Sequence, residues 1–348
     1  MKIIKKISKL LFVFCFFILL SVSADAEGER KLAEWQKTDG LITSGIYTYR
    51  ITDEAAKEIE LRGINSSESN IIIPGEIDGY KVVSIGYAYF IYVPYDSEVD
   101  SACEIIDENE LKPLQVSGCS ETITQVTIPD GVRTIGAAAF LNFKNLKKVK
   151  LSDTVTDIRE MAFKGCSALQ PMDIPVNASL GDETFFDCSN IHKITLSTSN
   201  LSGVFELFDG QKIKELHIVK SKYDKIGDSY FEISNYTFGG GINNVIDKVT
   251  VESGVNAIEL NLIGIKKLII KGKDTRIKCI NMGKDNINQT NVYTIKGAKA
   301  VKFARNWKVK YYAYKKAKGS KEAVRYTYKK KTGWKSVKKK MRCDLETA

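Results

Sequence analysis

The sequence predicts a β-rich repeat solenoid: a stack of coils with parallel strands, joined by turns and short helical segments. Two observations carry this prediction. The pattern apolar-x-x-apolar-x-apolar occurs at Ile123-Val126-Ile128, Leu146-Val149-Leu151, Leu169-Met172-Ile174, Ile191-Ile194-Leu196 and Ile213-Leu216-Ile218, and its first members stand 23, 23, 22 and 22 residues apart. The spacing inside each unit repeats as well. From Ile128, apolar residues follow at +4, +7, +12 and +18 (Val132, Ile135, Phe140, Leu146), and from Leu151 the same offsets give Val155, Ile158, Phe163 and Leu169.

A step of 22 to 23 residues lies in the range of a leucine-rich repeat, which coils in the right-handed sense with one strand per turn. One such unit buries too few side chains to offset the entropy of ordering its chain. Stacked units share their inward faces, so stability resides in the contacts between neighbours.

These residues carry a resemblance to a known family. Residues 126–151 and 155–175 contain Ile-Pro strand ends (Ile128-Pro129, Ile174-Pro175), an Ile-Gly step at Ile135-Gly136, the pairs Ala139-Phe140 and Ala162-Phe163, and a Phe-x-x-Cys ending at Phe163 to Cys166 that returns at Phe185 to Cys188. They resemble the BspA-like leucine-rich repeats of secreted and surface bacterial proteins, most closely between Val126 and Leu196. The resemblance implies a parallel-stranded solenoid used for binding at a host or neighbour-cell surface, and it carries no catalytic residue.

From the N-terminus, Lys2, Lys5, Lys6 and Lys9 precede the apolar run Leu10 to Leu20 and the small-residue stretch Ser21 to Ala26. This order reads as a secretory signal peptide over 1–26, cut after Ala26 or else Ala24. The run is shorter than the roughly 17 to 25 residues that span a bilayer, so no membrane anchor is expected after cleavage. Residues 27–69 read as an N-terminal cap, with short strands at 46–51 and 59–61 closing the open end of the stack. The solenoid is expected over 70–295 and begins at Ile71-Ile72-Ile73-Pro74. Two insertions interrupt it: an acidic one at 91–122, with eight acids against Lys112 and a net charge of −7, and an irregular one at 232–245 containing Gly239-Gly240-Gly241. The triplet reads as a turn, and Asp96-x-Glu98-x-Asp100 as a solvated loop in preference to a calcium site, because Ser101 stands where an EF-hand loop requires Gly. A C-terminal cap follows at 296–314, with a short helix from Ala298 to Trp307 and a closing strand from Val309 to Tyr314. Residues 315–348 read as a basic aromatic tail in which Thr332-Gly333 is a turn signal and the flanking segments can pair as a hairpin.

Charge is unevenly distributed. The 348 residues sum to +10, yet 27–295 sum to −9 and 296–340 to +17. An acidic solenoid therefore carries a basic end. Hydrophobic residues make up 43% of the chain, which excludes a disordered polymer. His192 and His217 are the whole supply of imidazole, so neither a catalytic centre, a metal site nor a cofactor is predicted. Cys166 and Cys188 recur at one repeat position and read as buried small hydrophobes. Cys103 and Cys119 can bridge in an oxidising exterior. A third class, an exported enzyme with a Cys-His pair near His192, lacks any accompanying nucleophile or acid motif.

Alternation places the polar residues between the apolar ones on the outer face of each strand. The residues expected to tile a concave binding wall are Lys148, Lys150, Lys193, Thr195, Glu215, His217, Lys248, Thr250 and Lys267. A protein or glycan of a host or neighbouring cell is the expected partner. Lys329, Lys330, Lys331, Trp334, Lys338, Lys339 and Lys340 form a second surface, suited to an anionic cell-wall polymer; nucleic acid fits an exported chain less well. The function expected is adhesion or cell-to-cell interaction by a secreted, surface-associated, non-enzymatic protein. The alternative is a wall-associated scaffold held electrostatically by its basic end.

Overall fold

The structure, a computed structural model, describes residues 40–86, 121–200, 207–208, 212–221, 231–234, 245–261, 264–280 and 289–347. The expected signal peptide, nearly all of the acidic insertion including Cys103 and Cys119, and most of the 232–245 insertion lie outside these residues.

The chain is a β-solenoid of about eight turns, with almost no helix among the described residues. It opens with an antiparallel meander, β1 (Leu41–Ser44), β2 (Tyr47–Asp53) and β3 (Glu58–Ile64). The first coil holds β4 (Asn70–Ile72), β5 (Glu76–Ile77) and β6 (Tyr80–Ile85). Next come β7 (Gln125–Thr127) with β8 (Thr134–Ile135), and β9 (Lys148–Lys150) with β10 (Asp157–Ile158). Beyond them lie β11 (Ser179–Leu180), β12 (Lys193–Ser197), β13 (Glu215–Val219) and β14 (Phe231–Ser234). Longer strands build the C-terminal half: β15 (Val245–Val251), β16 (Ala257–Asn261), β17 (Gly264–Ile270), β18 (Arg276–Ile280) and β19 (Asn291–Ile295). Helix α1 (Lys299–Asn306), β20 (Lys310–Tyr314), β21 (Glu322–Lys329) and β22 (Gly333–Lys340) complete the stack.

Two walls result. The front wall runs β4-β7-β9 and then, after a break, β12-β13-β15-β17-β19-β20-β21-β22; the back wall runs β1-β2-β3-β6-β8-β10-β11, with β5 beside β6, and continues as β14-β16-β18. From β4 to β20 every front-wall pairing is parallel. The register follows the sequence repeat. Ile194, Leu216, Val249, Leu268, Val292 and Tyr311 occupy one position on successive strands, and Ile85, Ile135 and Ile158 stack on the back wall. Because Ile71 pairs directly with Val126, the coil before the acidic insertion and the coil after it are neighbours. The insertion adds no rung.

The third side of each coil holds a ladder of rings. Phe140, Phe163, Phe185 and Phe208 stack with centroids 5.3, 5.7 and 5.7 Å apart and planes within 9° of parallel. Beside them the thiols of Cys166 and Cys188 donate to the carbonyls of Phe140 and Phe163, one coil below, at 3.0 and 3.1 Å. The turn there needs left-handed residues, which recur at Ala138, Met161 and Glu183 with φ of 52°, 56° and 54°. Residues with a Cβ resist this conformation, and the hydrogen bonds to the next coil hold them in it. Met161 and Phe163, for instance, donate to Asp182 and Thr184.

The interior coils are parallel, whereas both ends are antiparallel. At the C-terminal end α1 buries Ala300, Phe303 and Ala304 against the last coils, and β21 and β22 add an antiparallel hairpin to the front wall. The segment expected as a tail is thus largely built into the sheet. Gly333, at φ +68°, closes the hairpin turn where the sequence signals one.

Each inner ring of the ladder touches one above and one below, so removing one leaves a cavity between two coils. Phe163→Ala is expected to lower the free energy of unfolding by about 3 to 5 kcal/mol. Urea denaturation followed by circular dichroism measures it, and a loss below about 1 kcal/mol would mean the ladder is dispensable.

Candidate binding face

The front wall carries every residue expected in the binding face, and the strand register sets them in two rows. One row reads Gln125, Lys148, then Lys193, Glu215, Lys248, Lys267, Asn291 and Lys310; the other reads Ile72, Thr127, Lys150, then Thr195, His217, Thr250, Ile269, Tyr293 and Tyr312. All nine expected residues lie on this wall. It is not one uninterrupted open surface, for two reasons.

The first is a break at Pro171. In the coil before it, the Lys148 amide donates to Thr124. Pro171 stands at the matching place and has no amide hydrogen. Gln170 keeps the bond to Lys147 that corresponds to Lys147 on Thr124, the second bond is missing, and residues 171–174 form no strand. The wall therefore separates into a three-stranded and an eight-stranded sheet. Over this break lies an open concavity of about 660 Å³, lined among others by Lys148, Lys150, Asp153, Asp173, Lys193 and Thr195. Lys148 and Lys150 are exposed, and neither forms a salt bridge with another described residue.

The second is a cover. Residues 341–347 cross the outer face of the C-terminal coils, and Leu345, fully buried, packs with Ile269, Tyr312, Tyr314 and Ala323. Its amide donates to Ala317 at 3.0 Å. Tyr293 stacks on Tyr312 at 4.6 Å beside the same cluster. Thr250 is in consequence only 9% exposed and Ile269 not at all. Lys267 lies over the Tyr293 ring at 5.1 Å, and its pKa is lowered by burial and by neighbouring Lys248.

An ionic chain joins the cover to the wall. His217 Nε2 meets Glu252 Oε1 at 2.5 Å, Lys271 Nζ donates to Glu252 Oε1 at 2.8 Å and to the Glu346 carbonyl at 2.9 Å, and the Glu346 carboxylate lies 3.4 Å from Lys271. Burial pushes the Glu252 carboxyl up, but Lys271 and His217 outweigh it and hold it below its ordinary 4.5. Burial likewise lowers Lys271, and Glu252 and Glu346 reverse the effect, leaving it raised.

At the basic end, Lys329, Lys330 and Lys331 stand exposed at the hairpin turn and Lys338, Lys339 and Lys340 along β22. Trp334 has a different situation. It is half-buried, edge-on to Tyr311 at 5.5 Å and Tyr328 at 5.4 Å, and fixes the hairpin to the stack. Tyr326 stacks on Tyr311 at 4.5 Å in the same cluster.

The thiol and imidazole groups are placed apart in character. Burial raises Cys166 well above its ordinary value and Cys188 to about 12, so both are neutral hydrogen-bond donors inside the stack. His192 is exposed, its Nδ1 2.9 Å from the Asn190 carbonyl. Among the described residues no cluster of His, Cys, Asp and Glu suits a metal ion, and no helix is long and apolar enough to cross a membrane.

Glu252 is depressed on folding, so the stability it confers is present above its unfolded pKa near 4.5 and declines as pH falls below that value. Glu252→Gln is expected to lower the melting temperature at pH 7, with the difference shrinking as pH falls through the lowered pKa of the folded carboxyl. Parallel melting curves of the two proteins from pH 3 to 7 check this; a constant difference across the range would contradict it.

Residues 117–238 match the family described as BspA type leucine rich repeat region, in six copies. No curated protein matches the chain. Among solved structures, a leucine-rich repeat protein of T. pallidum is similar at 18% identity, covering 62% of this chain and 83% of that one, with a TM-score of 0.44. A leucine rich cell surface protein of Faecalibacterium prausnitzii is 20% identical over 84% of this chain and 60% of its own, with a TM-score of 0.40. A leucine-rich repeat protein of Bacteroides ovatus is 20% identical over 73% and 70%, also with a TM-score of 0.40. Residues 117–238 thus carry BspA-type leucine-rich repeats, and the parallel register and the phenylalanine ladder run through this stretch.

Proposed function

We propose that this chain is a secreted or cell-surface binding protein, without enzymatic activity, that docks a protein or glycan of a host or neighbouring cell on its front wall. The observation that carries this reading is the open concavity of about 660 Å³ above the break at Pro171. Solenoids present extended walls of this kind to partners. Lys147, Lys148, Lys150 and Lys193 outnumber Asp153 and Asp173 in its lining, so the contacting part of the ligand carries negative charge. Thr195, Glu215 and His217 continue the site toward the covered half, whose Thr250 and Lys267 are shielded. The BspA-type repeats at 117–238 and the leader-like N-terminus support placement at the surface or outside the cell.

A second reading is favoured by the exposed lysines of the terminal hairpin. An anionic cell-wall polymer held there would make the chain a scaffold retained by charge. Salt separates the two readings, since long-range attraction between exposed charges is screened within about 8 Å at physiological ionic strength.

A binding screen of the chain against immobilised matrix proteins and acidic glycans tests the first reading. Lys148→Glu with Lys150→Glu is expected to weaken the selected ligand at least tenfold with the fold intact. Charge reversal at Lys338, Lys339 and Lys340 should leave that ligand unaffected at 0.5 M salt. Loss of binding only with the hairpin variant would favour the scaffold.

A further inference from the structure

The front wall ends at β22, and among the described residues no strand pairs with its far edge. This edge is long, straight and accessible. Pairing with β21 runs without a register shift from Glu322 opposite Lys340 to Lys329 opposite Gly333, and residues 335–340 are all exposed, Val337 at 54%.

Its hydrogen-bonding groups can be assigned by alternation. In an antiparallel ladder each residue points both its amide and its carbonyl to one side, and the next residue points both to the other. Met341 donates to Lys321 at 2.6 Å, so it faces β21. Residues 339, 337 and 335 share that direction. Trp334, Ser336, Lys338 and Lys340 therefore present their amides and carbonyls to the open edge.

We infer that this edge is a docking site for an extended acidic peptide, which adds to the front wall as a further antiparallel or parallel strand. Strand addition derives affinity from main-chain hydrogen bonds and selectivity from the side chains beside them. Here those side chains are Lys338 and Lys340 on one face of β22 and Lys335 and Lys339 on the other. An incoming strand with carboxylates on both faces meets a lysine at each. A second copy of β22 would set lysine against lysine, so the same residues that attract an acidic strand oppose edge-to-edge assembly of the chain with itself. Packing fixes the receiving strand, because Trp334 is wedged between Tyr311 and Tyr328. The inference is independent of the ligand on the concavity around Lys148.

The test uses the full chain and a fluorescent, end-capped peptide of eight residues, Glu-Glu-Val-Val twice over, which as a strand sets carboxylates on both faces, followed by anisotropy at 50 mM salt. A matched peptide N-methylated at every residue keeps the carboxylates but can donate along neither edge. Binding is expected to be at least tenfold weaker for the methylated peptide. Ser336→Pro removes an outward amide at a position where an edge strand tolerates proline, and it is expected to weaken the unmodified peptide at least tenfold, whereas Ser336→Ala has little effect. A melting curve establishes that the proline variant is folded; if it is not, the methylated peptide decides alone. Equal affinity for the two peptides overturns the inference in favour of attraction to any polyanion, as with inorganic polyphosphate, and absence of peptide binding overturns it outright.

Discussion

Register-locked contact between successive coils is the constraint on which the rest of this structure depends. Each rung buries its aliphatics only against the rungs above and below, and each front-wall strand satisfies its amides on its neighbours. The shared position from Ile194 to Tyr311 and the ring ladder from Phe140 to Phe208 are the same constraint seen on two sides of the coil. It also explains the strained backbone. Ala138, Met161 and Glu183 keep left-handed conformations because relaxing one would break bonds to the coil beyond.

A stack of this kind has two open ends, and the chain closes each with antiparallel strands. At the N-terminus β2 and β3 bring their own partners, and β3 passes its free side to β6. At the C-terminus a helix fills the core and a hairpin extends the wall. Parallel strands need a long crossover whereas a hairpin needs only a turn, so a terminal meander is the shorter way to finish a sheet. The lysines of the last strand keep that final edge from pairing with its like.

Two local events shape the binding face within this regular frame. One missing amide at Pro171 interrupts the wall and leaves the concavity, flanked by Lys148, Lys150 and Lys193. The covering segment at the other end converts an outward row into a second small core around Leu345, tied down through Lys271, Glu252 and His217. The acidic body and basic end thus do not meet as two separate blocks. Their charges interlock at the cover, and net positive charge is left on the terminal strand.

The sequence by itself determined the repeat: its period, the inward residues from Ile123 to Ile218, the parallel register, the postponed coil after Ile85, the short helix near Ala298 and the turn at Gly333. These are legible because each depends on spacing within one or two coils. Whether an outward position is open depends on chain far away in sequence. Thr250 and Lys267 read as accessible because alternation points them outward, while the residues that shield them are some 75 to 95 positions later. The apolar character of Ile269, Tyr293 and Tyr312 was the local signal of that cover. Trp334 likewise read as a surface aromatic among lysines, and only the stacking of Tyr326 on Tyr311 turns it inward. Tertiary structure decided those cases because burial is a property of what arrives on a face, and a repeat specifies only the face.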